Sequence, residues 1–397
     1  MVVPGYQGVF KKRTRAMRDG CATFFKKSSF ECDEVVPVEY FVPGVASLDR
    51  DNIAVLVLLQ PKSFSPSTVE TQRAKLCVAN THLLFNPRRG DVKLAQLMKL
   101  FAEIDQLTYQ PCPAGPHHRN HHPVLICGDM NIEPFSHLYK FIRHGKLALN
   151  GQPVAKLSGQ ERMCRRDKRP VMPGFLGQHA GLTDQSQYVS VCQQRFGKVV
   201  TQSIDTMMDD VPREAAALSD TDDTQEKAVF TQGSGIVSHR FGLDSVYTHY
   251  MTDDGDRGSR RDKSAREVTT CHMHANCTVD YIFYTPSVSA VNHSENGKSN
   301  LPSQMTRNVE SSYVEQCKLS ASDSAADLLT SDNKSVSLQS SVSDASALCR
   351  INNYRLTLIA RLQLLSNKEM KEIGQLPNKF ISSDHLILAA QFMLAQS

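Results

Sequence analysis

Apolar and polar positions in the first eighty residues fall into short runs separated by turn residues. The runs over 21–27 (CATFFKK), 36–42 (VPVEYFV), 53–60 (IAVLVLLQ) and 74–83 (AKLCVANTHL) are rich in β-branched and aromatic side chains and predict strands. The period then changes. Over 86–107 the residues Leu94, Leu97, Leu100, Phe101 and Ile104 fall at helical spacing and form one apolar stripe. Pro87 and Gly90 make the turn before it, and Asp91 is the expected N-cap. After a loop at 111–122, Val124, Leu125 and Ile126 predict a short buried strand that stops on Gly128, Asp129, Met130 and Asn131. Further strands are expected over 278–285 (TVDYIFYT), 356–365 (LTLIARLQLL) and 386–394 (LILAAQFML). Strand, helix, strand in this order predicts a layered α/β sandwich.

Between these runs the pattern fades. Stretches over 205–235, 252–267 and 287–348 are acidic, Gly- and charge-rich, or Ser-rich. Such segments cannot bury enough apolar area to offset their ordering entropy, so they read as disordered insertions within one domain.

Composition adds little to this picture. Lys plus Arg number 45 and Asp plus Glu 41, a formal charge of +4. That permits a nucleic-acid partner without arguing for one. A basic cluster over 11–18 (KKRTRAMR) reads as a solvated loop, with phosphate contact or a nuclear signal as the functional alternative. The eleven cysteines show no paired spacing, and Cys77 and Cys127 sit inside apolar runs as small hydrophobes. The expectation is a reduced, intracellular protein, cytoplasmic or nuclear, with no membrane partner.

Four polar clusters stand at the ends of apolar strands. They are Asn80 to His82, Asp129 with Asn131, Asp280, and Asp384 with His385. Each alone reads as a turn or cap residue. Together they supply carboxylates, an amide and two imidazoles at sheet edges, where α/β proteins place their sites. Hard oxygen ligands suit Mg²⁺, and histidine supplies acid–base capacity near neutral pH. The chemistry that uses both is metal-assisted phosphoester hydrolysis. Strand alternation places positions 129 and 131 on one face, with Met130 turned away.

The motifs ANTHL, CGDMN, VDYIFY and SSDHL, in this order, resemble the exonuclease–endonuclease–phosphatase superfamily. The longer runs GYQGVFKKRT, LDRDNIAVLVLLQPK, NTHLLFNPRRGDVKLAQ, SGQE, SVYTHY and EVTTCH resemble the angel homologs, in the branch that includes poly(A) deadenylases, and lie nearer to angel homolog 2. The resemblance implies a four-layer α/β sandwich and divalent-metal chemistry on RNA 3′ ends, of mRNA or tRNA fragments, with Mg²⁺ or Mn²⁺ as cofactor. It implies that Asp129 orients or activates the attacking water and that Asn131 contacts the phosphate. His385 contacts the scissile phosphate, oriented by Asp280, and His82 is a second imidazole on the phosphate. Asp384 is a metal or second-sphere ligand. Asn80, Arg88 and Arg89 are candidate substrate contacts, with a helix-entry role as the alternative for the two arginines. Two activities stay open: removal of 2′,3′-cyclic phosphates, and 3′→5′ trimming of poly(A).

The chain departs from the family pattern at its start. Family members open with a strand carrying an Asn and a strand ending in Gln-Glu, whose Glu is the principal Mg²⁺ ligand. Neither Glu34 nor Glu39 falls at that position. The expectation is an N-terminally truncated product that lacks its first strands, binds Mg²⁺ poorly and has little activity; the alternative to the phosphoesterase is an RNA-binding or regulatory protein that retains the groove. The run CHMHANC (271–277) has closely spaced zinc-type ligands but no second pair. It and the His-rich loop at 117–122 read as loops.

Overall fold

In the computed structural model the chain is described for residues 3–62, 75–110, 121–160, 167–172, 174–197, 231–247, 249, 266–272, 275–286 and 354–396. The insertion predicted over 287–348 lies outside the described residues, as do most of those over 205–235 and 252–267. Arg266 and Glu267, at the end of the last of these, belong to the fold. Glu267 is buried and faces Arg361 at 3.6 Å, and Arg266 pairs with Glu133 at 3.3 Å.

The strands are β1 (Tyr6–Lys12), β2 (Gly20–Lys26), β3 (Phe30–Glu39), β4 (Ile53–Pro61), β5 (Leu76–His82) and β6 (Val124–Asp129). They are followed by β7 (Lys146–Ala148), β8 (Ile236–Ser238), β9 (Asp244–Ser245), β10 (Thr270–His272), β11 (Ala275–Cys277), β12 (Asp280–Tyr284), β13 (Tyr354–Arg361) and β14 (Ala390–Gln396). The helices are α1 (Gly90–Thr108), α2 (His137–His144), α3 (Val189–Phe196) and α4 (Asn367–Ile373). No helix among the described residues is long and apolar enough to cross a membrane.

Six strands form one sheet in the order β3-β4-β5-β6-β12-β9. Only β5 and β6 run parallel, and α1 is their crossover. Side-chain alternation sorts this sheet onto two layers. Ala54, Leu56 and Leu58 of β4, Cys77 and Ala79 of β5, Val124 and Ile126 of β6, and Tyr281 and Phe283 of β12 pack with α1 and α2 in the main core. The alternate residues face the other way. Ile53, Val55, Val57 and Leu59 pack on Cys21 and Phe25 of the β1–β2 hairpin. Leu76 and Tyr284 pack on Leu356 of the β13–β14 hairpin, and Val78 touches both clusters. Burial on both faces is why β4 reads as a continuous apolar run. Among the described residues the two hairpins are separate two-stranded units, and their outer faces expose Phe10, Phe24, Ile359 and Met393.

Some element ends differ from the sequence reading. The strand expected over 386–394 begins at Ala390, because 385–389 is drawn away to other partners: Leu386 N–H donates to the Thr269 carbonyl and Ala389 N–H to the Tyr247 hydroxyl. The strand expected over 356–365 runs Tyr354–Arg361. Arg89, not Asp91, is the N-cap residue of α1. Asp91 in the first turn instead accepts a forked pair from the Arg89 guanidinium, at 2.9 Å to each oxygen. The described cysteines are free, and burial pushes the Cys77 and Cys127 thiols up to about 12.

Candidate active site

Register brings the first three site residues together. His82 ends β5, Asp129 ends β6 and Asp280 begins β12. His82 pairs in register with Asp129, and Asp129 with Asp280. The three therefore form one row across three neighbouring strands, all on the face that looks toward the hairpins. A row of polar groups is tolerated there because it sits at the end of the sandwich, beyond the last apolar layer.

His385 completes the row from a distant part of the chain. A single bridge to Thr270 and the Thr270 hydroxyl, which donates to the Asp384 carbonyl at 2.8 Å, fix its segment beside β12. Its Nδ1 lies 2.7 Å from Asp280 Oδ2. His82 Nε2 lies 3.5 Å from Asp129 Oδ2. Oxygen or nitrogen atoms of Asp129, Asp280 and His385 lie within 4.8 Å of one another, which makes these three the one group among the described residues that could hold a metal ion.

The electrostatics follow from this crowding. Burial and the neighbouring Asp280 carboxylate push Asp129 up to about 7, against the Asn131 N–H, His385 and Lys93, which favour its anion. Burial disfavours a charged His385, but its hydrogen bond to Asp280 and the carboxylates of Asp280, Asp129 and Asp384 prevail and raise it to about 9. His82 is held below its ordinary value by burial and then by Arg13. The site thus pairs a carboxylate poised near neutrality with an imidazolium.

Asn131 reaches the site by a different route from the one alternation predicts. Beyond Asp129 the strand is over: Asn131 has φ 51°, in the left-handed region. Its N–H donates to Asp129 Oδ1 at 2.8 Å, closing a side-chain turn. Its own amide nitrogen donates to the Leu83 carbonyl at 3.0 Å, and the residue is 2% exposed. The pair is held by a turn, not by a shared strand face.

The remaining candidates are dispersed. Asn80 donates to the Ala22 carbonyl at 2.9 Å and ties β5 to the β1–β2 hairpin. Arg88 is exposed beside the turn, whereas the Arg89 guanidinium is engaged by Asp91. The Asp384 side chain is 58% exposed, with Oδ2 3.9 Å from His385 Nε2, outside the three-residue group. In the basic cluster, Lys11 pairs with Glu39, Arg13 with Asp19, and Arg15 with Asp49. His121 is bound to Asp105 at 3.0 Å, and Cys271 is buried in the core.

Several supporting residues escaped the sequence reading. Asn52 Nδ2 donates to the His82 carbonyl at 3.1 Å. Gln96 Nε2 donates to Asn52 Oδ1 at 3.2 Å while its Oε1 accepts from Leu84 N–H at 2.9 Å. Tyr40 and Thr81 share a buried hydroxyl pair at 2.7 Å. A sequence signal did exist: Lys93 and Gln96 are polar residues on the buried side of α1, where burial is costly without partners.

Metal binding can be tested against this donor set. Two carboxylates crowded in one polar recess, one of them raised by the other, leave negative charge that a hard divalent cation would neutralise. The residues fit such an ion, held by Asp129 and Asp280 with His385 alongside. No glutamate stands in the group among the described residues.

An α/β sandwich with this row at its end is the fold of the exonuclease–endonuclease–phosphatase superfamily. No family model matches the sequence. The chain is 33% identical over 393 residues to protein angel homolog 2 of Danio rerio, covering 98% of this chain and 52% of that protein. It is 32% identical over 420 residues to human protein angel homolog 1, covering 98% and 52%. The crystal structure of ANGEL2, described as a 2′,3′-cyclic phosphatase and solved with adenosine-2′,3′-vanadate, superposes with a TM-score of 0.60 at 31% identity, covering 98% of this chain and 74% of that one. The chain belongs to the angel homolog family. It spans about half the length of the curated relatives it matches.

Proposed function

We propose that this protein is a Mg²⁺-dependent phosphoester hydrolase acting on RNA 3′ ends, with the 2′,3′-cyclic phosphate as its substrate group. The observation that carries the reading is the row His82, Asp129 and Asp280 with His385 bound to Asp280. The likeness to a 2′,3′-cyclic phosphatase solved with a ribose vanadate supports the choice of substrate.

The residues divide the work by their charge states. Asp129, held by the Asn131 N–H at the end of β6, is placed to orient or activate the attacking water. His385, an imidazolium held by Asp280, donates hydrogen bonds to the phosphate and a proton to the departing ribose oxygen. His82, largely neutral and 47% exposed, presents a second imidazole to the phosphate. Asn131 keeps Asp129 in place, and Arg88, exposed beside the turn, is available to meet the RNA backbone. A divalent ion held by Asp129 and Asp280 would neutralise charge on the phosphoryl oxygens. Removing a cyclic phosphate takes two hydrolyses. Each forms one P–O bond to water and breaks one to the ribose.

The test is an assay on two RNAs, one ending in a 2′,3′-cyclic phosphate and one in a 3′-OH poly(A) tail, with Mg²⁺ or Mn²⁺. Release of phosphate from the first supports the reading, and shortening of the second alone replaces it with deadenylation. The alternative, an RNA-binding protein that keeps the groove without the chemistry, rests on the lack of a glutamate in the metal group among the described residues. Binding of both RNAs with no turnover of either would establish it.

A further inference from the structure

Lys93 stands in the first turn of α1 and its side chain is fully buried, at 0% exposure. Burying an ammonium is costly unless hydrogen bonds replace the water. Two acceptors are in place. Lys93 Nζ donates to the Asn131 carbonyl at 2.7 Å and to Gln160 Oε1 at 2.7 Å. Both distances are those of charge-assisted hydrogen bonds.

The position of the Asn131 carbonyl is what gives these bonds a role. Asn131 is held in the left-handed region, which asparagine tolerates better than most side-chain-bearing residues, and its surroundings fix it there. Three contacts impose it: its N–H on Asp129 Oδ1, its side-chain amide on the Leu83 carbonyl, and its carbonyl on Lys93. The first fixes which way the Asp129 carboxylate points. The third is the one made by a charge, and it comes from the helix that crosses over between β5 and β6. Gln160 carries the tether on to a third segment and also meets Ser158, 3.4 Å away.

We propose that Lys93 is a positioning residue of the active site: from the core beneath it, the ammonium holds the Asn131 carbonyl, and through it the turn that aims Asp129, with Gln160 as the second anchor. The inference rests on the hydrolase reading for what the turn is aimed at, but not for the turn itself. A lysine with a merely structural role would behave differently. K93M leaves the Asn131 carbonyl and Gln160 Oε1 without their donor, and a general loss of stability from that would loosen α1 and the 129–133 turn alike. Exchange at 129–133 compared with α1 therefore separates positioning from stability.

Three measurements on K93M and Q160A decide it. In K93M the thermal midpoint is expected to fall modestly, while kcat on the cyclic-phosphate RNA, measured well below that midpoint, falls about 10²-fold with KM little changed, the scale of a roughly 1 Å misplacement. Amide hydrogen exchange of metal-free protein is expected to quicken in the 129–133 segment and to remain slow in α1. Q160A, which keeps the ammonium, should move both readouts in the same direction by less. Full turnover with unchanged exchange at 129–133 overturns the proposal, as does a loss of turnover that only follows a lowered midpoint. If K93M does not fold, Q160A carries the decision, and unchanged turnover and exchange there overturn it. If the wild-type protein hydrolyses neither RNA, the function reading falls and the exchange measurement still decides the role of Lys93.

Discussion

The imidazole Nδ1 of His385 lies 2.7 Å from Oδ2 of Asp280, although 105 residues separate them in the chain. That contact holds His385 as an imidazolium, and it gives the first prediction. In metal-free protein the His385 ring, followed by NMR, should titrate near pH 9. Its folded value lies above the ordinary 6.5, so its stabilising contribution is fully present below about pH 6.5 and is lost as pH rises through about 9. In D280N the ring should titrate well below the wild-type value. A ring that titrates unchanged in D280N would remove Asp280 as its partner.

Asp129 and His385 are expected to be indispensable for turnover, and Asp129 to contribute little to folding. D129N and H385A should each lower kcat/KM about 10²–10⁴-fold, the usual weight of a positioned acid or base. Circular dichroism of both and the urea midpoint of D129N should stay near wild type, while H385A should lose the stabilisation its contact with Asp280 supplies at neutral pH. Retained hydrolysis in either variant would mean that the reacting atoms sit elsewhere.

Gly128 predicts a steric lesion close to the site. Its φ is 138°, a conformation that residues with a Cβ rarely adopt, and a Cβ there would overlap the Thr81 carbonyl on the neighbouring strand. G128A should destabilise the protein by about 2–4 kcal/mol, because strain and loss of the β5–β6 pairing add. A urea midpoint unchanged by G128A would contradict this account of the β5–β6 approach.

Asp105 predicts a pH-dependent core. It is buried and receives Arg195 at 2.6 Å, His121 at 3.0 Å and Gln187 at 3.0 Å. Burial works against its charge, but His121, Gln187 and Arg240 outweigh it and hold Asp105 at about 2. Its folded value lies below the ordinary 3.8, so the stabilisation is present above about pH 4 and lost as pH falls through about 2. D105N should cost about 3–5 kcal/mol at pH 7, since it leaves buried cations without their partner. The gap to wild type should narrow as the pH is lowered toward 3. A gap independent of pH would point to packing instead of charge.

Divalent cation should stabilise the folded chain through the same two carboxylates. Saturating Mg²⁺ is expected to raise the thermal midpoint, by about 2.7 kcal/mol of added stability at a hundredfold excess over Kd. A chelator should reverse it, and D280N should abolish it. An equal rise in D280N would place the ion away from this row.

Much of the fold is legible along the chain because local physics writes it there. The periods of 2 and 3.6 mark β4, β5, β6, β12 and α1 within a few residues, since alternation and helical spacing are imposed by the layers each element must face. Where an element's end depends on partners far away, the reading slips. The start of β14 is set by Thr269 and Tyr247, and the α1 cap by the Arg89–Asp91 fork.

The sequence by itself determined the kinds of residue at the site and their family: carboxylates and imidazoles at the ends of apolar runs, in motifs whose order resembles one family. Only the tertiary structure decided how they meet. Register across three strands aligned His82, Asp129 and Asp280, a bridge from Thr270 delivered His385, and a turn pinned from the core by Lys93 aimed Asp129. Residues as far apart as Asp280 and His385 cannot reveal a 2.7 Å contact through any local pattern. Their distance is fixed by strand pairing, and strand pairing is settled by the whole core at once.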